Sequence, residues 1–194
     1  MAIGNDFNSV KSAAPIAGIV LVARGDERVP AGENDIPAAA LLMSRVSSLG
    51  AGGCEEVYVA LGSRVVRAPQ TSSTTLYLPE WFDSLDSCTS AALDFVDEHP
   101  RLSGAVLQTL DSPDAGEVAV ARVIEAAGDD PAVICRAAFG GRPGQPVYLG
   151  ADRIRHAIER MGAGLTAIHY LIENRDDVRI VDCTDLGNPV ESNL

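Results

Sequence analysis

The stretch IAGIVLVARGDERVPAG, residues Ile16–Gly32, decides the fold. Its first half, Ile16 to Ala23, is apolar and rich in β-branched residues, with the length of a buried parallel strand. It breaks into the polar run Arg24-Gly25-Asp26-Glu27-Arg28. A few residues on, Ile36, Ala39, Ala40, Met43, Val46 and Leu49 recur near helical period. Pro37 suits the first turn, and Gly50, Gly52 and Gly53 suit the end. Strand, glycine-containing loop, helix is how an α/β domain opens an anion site, because loop N–H groups and a helix N-terminus converge on negative charge. The plainer alternative is a solvated loop in which Asp26 and Glu27 balance Arg24 and Arg28.

Outward from this unit the same alternation continues. Strands are expected at Glu56–Leu61, Thr74–Leu78, Ser103–Leu110, Ala132–Phe139, Val147–Leu149 and Asp177–Asp182. Helices are expected at Asp86–Glu98, Glu117–Ala127, Ala151–Met161 and Leu165–Asn174. The run Gly140-Gly141-Arg142-Pro143-Gly144-Gln145-Pro146 is the longest loop-like punctuation. The pattern predicts a three-layer α/β/α domain around a mostly parallel twisted sheet, spanning residues 16–186, with a poorly ordered lead-in at 1–15 and a tail at 187–194. Ligands in such sheets bind beyond the carboxyl ends of the strands. That directs attention to Arg24–Gly32, Gly62–Arg67, Asp111–Asp114 and Gly140–Pro146.

Composition narrows the partners. A formal net charge of −12 argues against wrapping a nucleic-acid backbone. Lys11 is the only lysine, so every basic group in the body of the domain is an arginine. Cys54, Cys88, Cys135 and Cys183 form no CxxC pair and read as buried thiols. Cys88, near a helix start, is the one whose pKa a helix dipole would lower. No apolar run is long enough to span a membrane, and the N-terminal segment is too polar for a signal peptide, so a cytoplasmic location is expected.

Four constellations carry candidate chemistry. Arg24 and Arg28 offer guanidinium forks to phosphate. Asp111, at a strand end, offers a carboxylate to Mg²⁺ or simply starts a helix through Asp-Ser-Pro-Asp. Gly141, Arg142 and Gly144 either let backbone approach a ligand or serve a hairpin's backbone angles. Asp86–Ser90 brings a helix start near a ligand or merely caps that helix. His99, His156 and His169 have no metal-ligand spacing.

Together the segments resemble the MobA-like nucleotidyltransferase family, which includes the molybdenum-cofactor guanylyl- and cytidylyltransferases, from about Ile16 to Asp185. Leu21, Ala23, Arg28, Pro37 and Leu41-Leu42 match its opening motif. Trp81, Ser87 and Leu93 match its tryptophan segment, Asp111 and Pro113 its strand-end aspartate, and Gly141, Gly144, Pro146 and Val147 its late glycine motif. The resemblance implies a Rossmann-like fold of the nucleotide-diphospho-sugar transferase type. It implies a nucleoside triphosphate bound by Leu21, Ala23, Arg24, Gly25 and Ser87, with Arg28 and Asp111 catalytic and Mg²⁺ on Asp111. A small phosphorylated substrate would lie near Gly141, Arg142, Gly144 and Gln145. The chain departs from the family at five places: Arg24 replaces a loop glycine, Ala38 a lysine, Leu110 a glycine and Gln145 a histidine, and the closing acidic motif is reduced to Asn188-Pro189. Two functions therefore stand side by side: a divergent Mg²⁺-dependent transferase, with Arg24 or Arg45 supplying charge, and a non-catalytic or regulatory relative that keeps the fold.

Overall fold

The computed structural model describes residues 14–22, 38–61, 73–77, 84–110, 112 and 115–187. The loop residues Ala23, Arg24, Gly25 and Arg28, the strand-end Asp111 and Pro113, and Trp81 lie outside the described residues.

Seven strands form one sheet: β1 (Ile16–Val22), β2 (Glu56–Leu61), β3 (Thr74–Tyr77), β4 (Gly104–Thr109), β5 (Ile134–Phe139), β6 (Arg142–Gly150) and β7 (Val178–Asp182). Their order is β3-β2-β1-β4-β6-β5-β7. All pairs are parallel except the two that β6 makes with β4 and β5. The carboxyl ends of six strands and the start of β6 therefore lie along one edge.

The centre of the sheet is dry on both faces, which is why its strands read as unbroken apolar runs. Val20, Val59, Val106, Ala137 and Tyr148 pack on one face beneath α1 (Ala38–Ala51) and α3 (Gly116–Ala127), which contribute Leu42, Val46, Leu49, Val120 and Val123. Ile19, Ala60, Ala105, Ile134 and Leu149 pack on the other beneath α2 (Leu85–Asp97), α4 (Ala151–Gly162) and α5 (Ala167–Glu173), through Leu93, Val96, Ile154 and Tyr170. This is the three-layer α/β/α architecture expected from the alternation. All four cysteines are buried.

Two expectations need correction. Gly140–Pro146 is not a loop. Gly140 and Gly141 alone turn the chain, both at positive φ (56° and 75°), and Phe139 faces Arg142 across the hairpin. Such a two-residue turn needs φ > 0 at both positions, which glycine adopts without strain. Residues 142–146 then belong to β6, a nine-residue strand where only Val147–Leu149 was expected. Cys88 is also not activated. Its thiol is fully buried and contacts the Ala60 carbonyl at 3.6 Å, and burial pushes its pKa up to about 11. Desolvation there outweighs the opposing backbone hydrogen bond at Val22.

A buried polar side chain, Gln108, lies inside β4. Gln108 pairs through its backbone register with Val20 and, by strand alternation from Val106, turns toward α1 and α3. It is 0% exposed, and neither amide atom has a hydrogen-bond partner among the described residues. Leaving such a group unsatisfied costs about 1–3 kcal/mol. Gln108→Met, of similar volume, is expected to raise the unfolding free energy by about 1–2 kcal/mol in urea denaturation. A loss of stability instead would mean that the amide is satisfied in solution.

Candidate functional site

The site is built at the carboxyl edge where β1, β4 and β6 meet. β1 and β4 pair in register up to Leu21 and Thr109, and the Leu110 N–H donates to the Leu21 carbonyl at 3.0 Å. Leu21 itself is 4% exposed, with its side chain in the core under α2. The segment that follows β1 begins the predicted phosphate loop, and the turn that follows β4 contains Asp111. The described ends of β1 and β4 are therefore neighbours at one edge.

The turn after β4 is held on three sides. The β4–β6 ladder gives out after Leu107 and Val147, where Pro146 has no N–H to continue it. The Gln145 side chain takes over. Its Oε1 accepts from the Thr109 N–H at 2.7 Å and from the Ser112 hydroxyl at 3.0 Å, and its Nε2 donates to Thr109 Oγ1 at 3.1 Å. The Ser112 hydroxyl also lies 2.9 Å from the Thr109 carbonyl. From the other side Arg45, on α1 and only 3% exposed, donates a guanidinium N–H to the Ser112 carbonyl. Arg45 was one of two arginines offered as a charge for phosphate; its guanidinium reaches this turn from within the core. Thr109 and Ser112 were not singled out from the sequence, and the Asp-Ser-Pro-Asp run that contains Ser112 was weighed only for its aspartate.

The late glycine motif sits beside this turn. Gly144 lies under the Phe139 ring, where a Cβ would approach ring carbons at 3.3–3.4 Å. Its carbonyl accepts from Arg136 Nε at 3.0 Å. Burial lowers the Arg136 pKa, yet a guanidinium remains charged. Arg142 is exposed at the start of β6. The two carboxylates at the far end of the sheet are engaged structurally. Asp185 forms a double hydrogen bond with Arg122 at 2.5 and 2.7 Å, which holds its carboxyl below the usual range. Asp182 accepts from the Thr184 N–H and hydroxyl, which lowers its pKa likewise, and Thr184 Oγ1 in turn accepts from the Gly140 N–H at 3.0 Å.

Ser87 is elsewhere. It lies in the first turn of α2, with its N–H and hydroxyl both on the capping Ser84. There it lines an open cleft of about 460 Å³ between α2 and the α4–α5 connection. It shares no hydrogen bond with the Gln145 cluster among the described residues. Asp86, beside it, accepts from the Ala167 N–H at 2.8 Å and so anchors the start of α5. His156 and His169 contact Tyr170 and Thr166, consistent with packing roles.

Among the described residues no three His, Cys, Asp or Glu side chains gather as a metal cage. The described side chains bonded across this stretch, Thr109, Ser112 and Gln145, carry hydroxyl and carboxamide groups, with no thiol or imidazole among them. Oxygen donors of this kind fit a hard cation such as Mg²⁺. They do not suit a soft, thiolate-seeking metal.

The layered, mostly parallel sheet defines a three-layer α/β/α fold. No family model and no curated protein sequence matches the chain. Solved structures do. Rv0371c of Mycobacterium tuberculosis, determined in complex with manganese, superposes with a TM-score of 0.61 at 18% identity, over 88% of this chain and 89% of that one. A nucleotidyl transferase from Methanothermobacter gives 0.63 at 16% identity, over 92% and 90%. The 2-C-methyl-D-erythritol 4-phosphate cytidylyltransferase of Thermus thermophilus gives 0.58 at 16% identity, over 91% and 96%.

Proposed function

We propose that the chain is a divergent, MobA-like nucleotidyltransferase that binds a nucleoside triphosphate at the edge between β1 and β4. It would transfer the nucleotidyl group from CTP or GTP to a small phosphorylated acceptor. The observation that supports this reading is that Thr109 and Ser112, the described residues on either side of position 111, are bonded to Gln145, and Leu110 is bonded to the end of β1. The likeness to nucleotidyltransferase structures supports the same reading. Arg24, Gly25 and Arg28 follow β1 and are assigned to the triphosphate, where guanidinium forks match phosphate oxygens. Asp111 would hold Mg²⁺, which when bound neutralises phosphate charge. Arg142, exposed on β6, is assigned to the acceptor's phosphate. The protein's contribution is then alignment of acceptor and α-phosphate and neutralisation of charge.

One observation favours a second reading, a nucleotide-binding relative without transferase activity. Residue 38 is alanine where the family has lysine, and Arg45, the nearby basic residue of α1, is directed to Ser112. The two readings separate in a thermal-shift titration with CTP, GTP and ATP, with and without Mg²⁺, paired with a pyrophosphate assay. At a hundredfold excess over Kd, binding adds about 2.7 kcal/mol. For a chain of this size that is a rise of about 5–10 °C. The proposed function predicts such a rise with CTP or GTP, dependent on Mg²⁺, and pyrophosphate release once an acceptor is supplied. Binding that is indifferent to Mg²⁺, with no pyrophosphate from any acceptor, would establish the second reading. No shift with any nucleotide at millimolar concentration would overturn both.

A further inference from the structure

We propose that the ledge of sheet formed by Leu107, Val147, Arg136 and Ile180 binds a small molecule that carries an oxyanion group, phosphate or carboxylate, on an apolar body. The inference stands on these described residues and does not depend on the transferase reading.

Register places the four side chains in one row. Leu107 pairs with Val147, Val147 with Arg136, and Arg136 with Ile180, across β4, β6, β5 and β7. Directly paired residues share a face of a sheet. Leu107 and Val147 belong to the core under α2, α4 and α5, so all four lie on that face. The next row back, Ala105, Leu149, Ile134 and Val178, packs beneath those helices. One row on, toward the carboxyl edge, the cover thins. Leu107 and Arg136 are half-buried, and Ile180 is 52% exposed. The row therefore presents apolar side chains on both sides of one guanidinium.

That guanidinium lacks a counter-charge. Arg101, Arg122, Arg153, Arg155, Arg160 and Arg175 each pair with a carboxylate. None of the described carboxylates pairs with Arg136, and burial is the sole influence on its pKa. Its Nε donates to the Gly144 carbonyl at 3.0 Å and its Nη2 to the Pro143 carbonyl at 3.4 Å. Those two bonds fix the direction of the guanidinium plane. They leave the Nη1 protons and the second Nη2 proton, a fork that fits two oxygens of a carboxylate or phosphate. A half-buried charge without a counter-ion is destabilising, and an incoming oxyanion relieves it. The flanking Leu107, Val147 and Ile180 favour a ligand whose body is itself apolar.

The test titrates the full chain with phenyl phosphate, benzoate, inorganic phosphate and phenol, followed by nuclear magnetic resonance of the β4–β7 amides and of the Arg136 Nε–H. Phenyl phosphate and benzoate are expected to shift the signals of this row to saturation, and uncharged phenol is not. The tighter of the two anions identifies the oxyanion. Inorganic phosphate is expected to bind about fivefold more weakly than phenyl phosphate, because it buries no ring. Arg136→Met is expected to weaken phenyl phosphate about tenfold or more. Ile180→Asp, at an exposed position, sets a carboxylate beside Arg136 and is expected to do the same, while Ile180→Asn stays within about threefold of wild type. Melting temperatures establish that each variant is folded; if Arg136→Met does not fold, Ile180→Asp decides alone. Wild-type affinity for phenyl phosphate in a folded Arg136→Met or Ile180→Asp protein would overturn the proposal. So would shifts confined to residues away from this row, or no shift from either aromatic anion at millimolar concentration. None of these outcomes requires CTP or Mg²⁺ to bind, so this inference and the transferase reading fail separately.

Discussion

Asp111→Asn is expected to lower nucleotidyl transfer by about a thousandfold or more and to abolish the Mg²⁺ dependence of nucleotide binding. The substitution keeps the size of the side chain and removes its charge. A carboxamide oxygen is a poor substitute for a carboxylate toward a hard dication. The turn itself should survive, because the bonds that hold it run through Thr109, Ser112, Gln145 and Arg45. The melting temperature is therefore expected to stay within about 2 °C of wild type, as for a substitution that removes no packing or turn bond. Differential scanning fluorimetry and a pyrophosphate assay on the same preparation check both halves. Transfer that persists at the wild-type rate would remove Asp111 from the chemistry.

The second large effect concerns stability. Gly150→Ala is expected to cost about 3 kcal/mol or more, seen as a fall of about 6–12 °C in melting temperature. Gly150 ends β6 and caps α4, and its backbone is in ordinary extended geometry. Space, not conformation, demands glycine. A Cβ there would stand 2.4 Å from the Pro131 carbonyl oxygen and 2.8 Å from that of Asp130. These are backbone atoms, and no rotamer change can move them aside. The neighbourhood is also tied down by hydrogen bonds from Gly150 to Val133, Ala151 to Ser103 and Asp152 to Pro131. Gly50 is the control. It lies in α1, where the nearest atom to a Cβ is Val57 Cγ2 at 3.9 Å. Gly50→Ala is expected to be neutral or to stabilise by about 0.5–1 kcal/mol. A Gly150→Ala protein as stable as wild type would show that the β6–α4 junction is loose.

The sequence was most legible where burial dictates it. β2 falls at Glu56–Leu61 as expected, and Ile16–Val22 of the expected Ile16–Ala23 is strand, with Ala23 outside the described residues. A strand buried on both faces writes itself as an apolar run. A hairpin was among the readings of the glycines at 140–144, but the extent of β6 was illegible for the converse reason. Arg142-Pro143-Gly144-Gln145-Pro146 has the composition of a loop, and its strand geometry comes from pairing with β5, not from propensity. The antiparallel insertion of β6 between β4 and β5 left no local signal either. At the site, Gln145 was marked as a departure from a family motif, but its partners Thr109 and Ser112 are 36 and 33 residues away in sequence. Arg45 was read only as a charge for phosphate, because helical position alone does not reveal that its guanidinium meets Ser112. Gln108, the polar residue of an apolar strand, was the signal that went unread.

The most direct test is diffraction from crystals grown with Mn²⁺ and CTP, using the anomalous signal to locate the metal. The account predicts a peak in the ligand shell of the Asp111 carboxylate, bridged to phosphate oxygens, with Gln145 still bonded to Thr109 and Ser112. Metal and nucleotide bound together at any other place, such as the cleft beside Ser87, would contradict it.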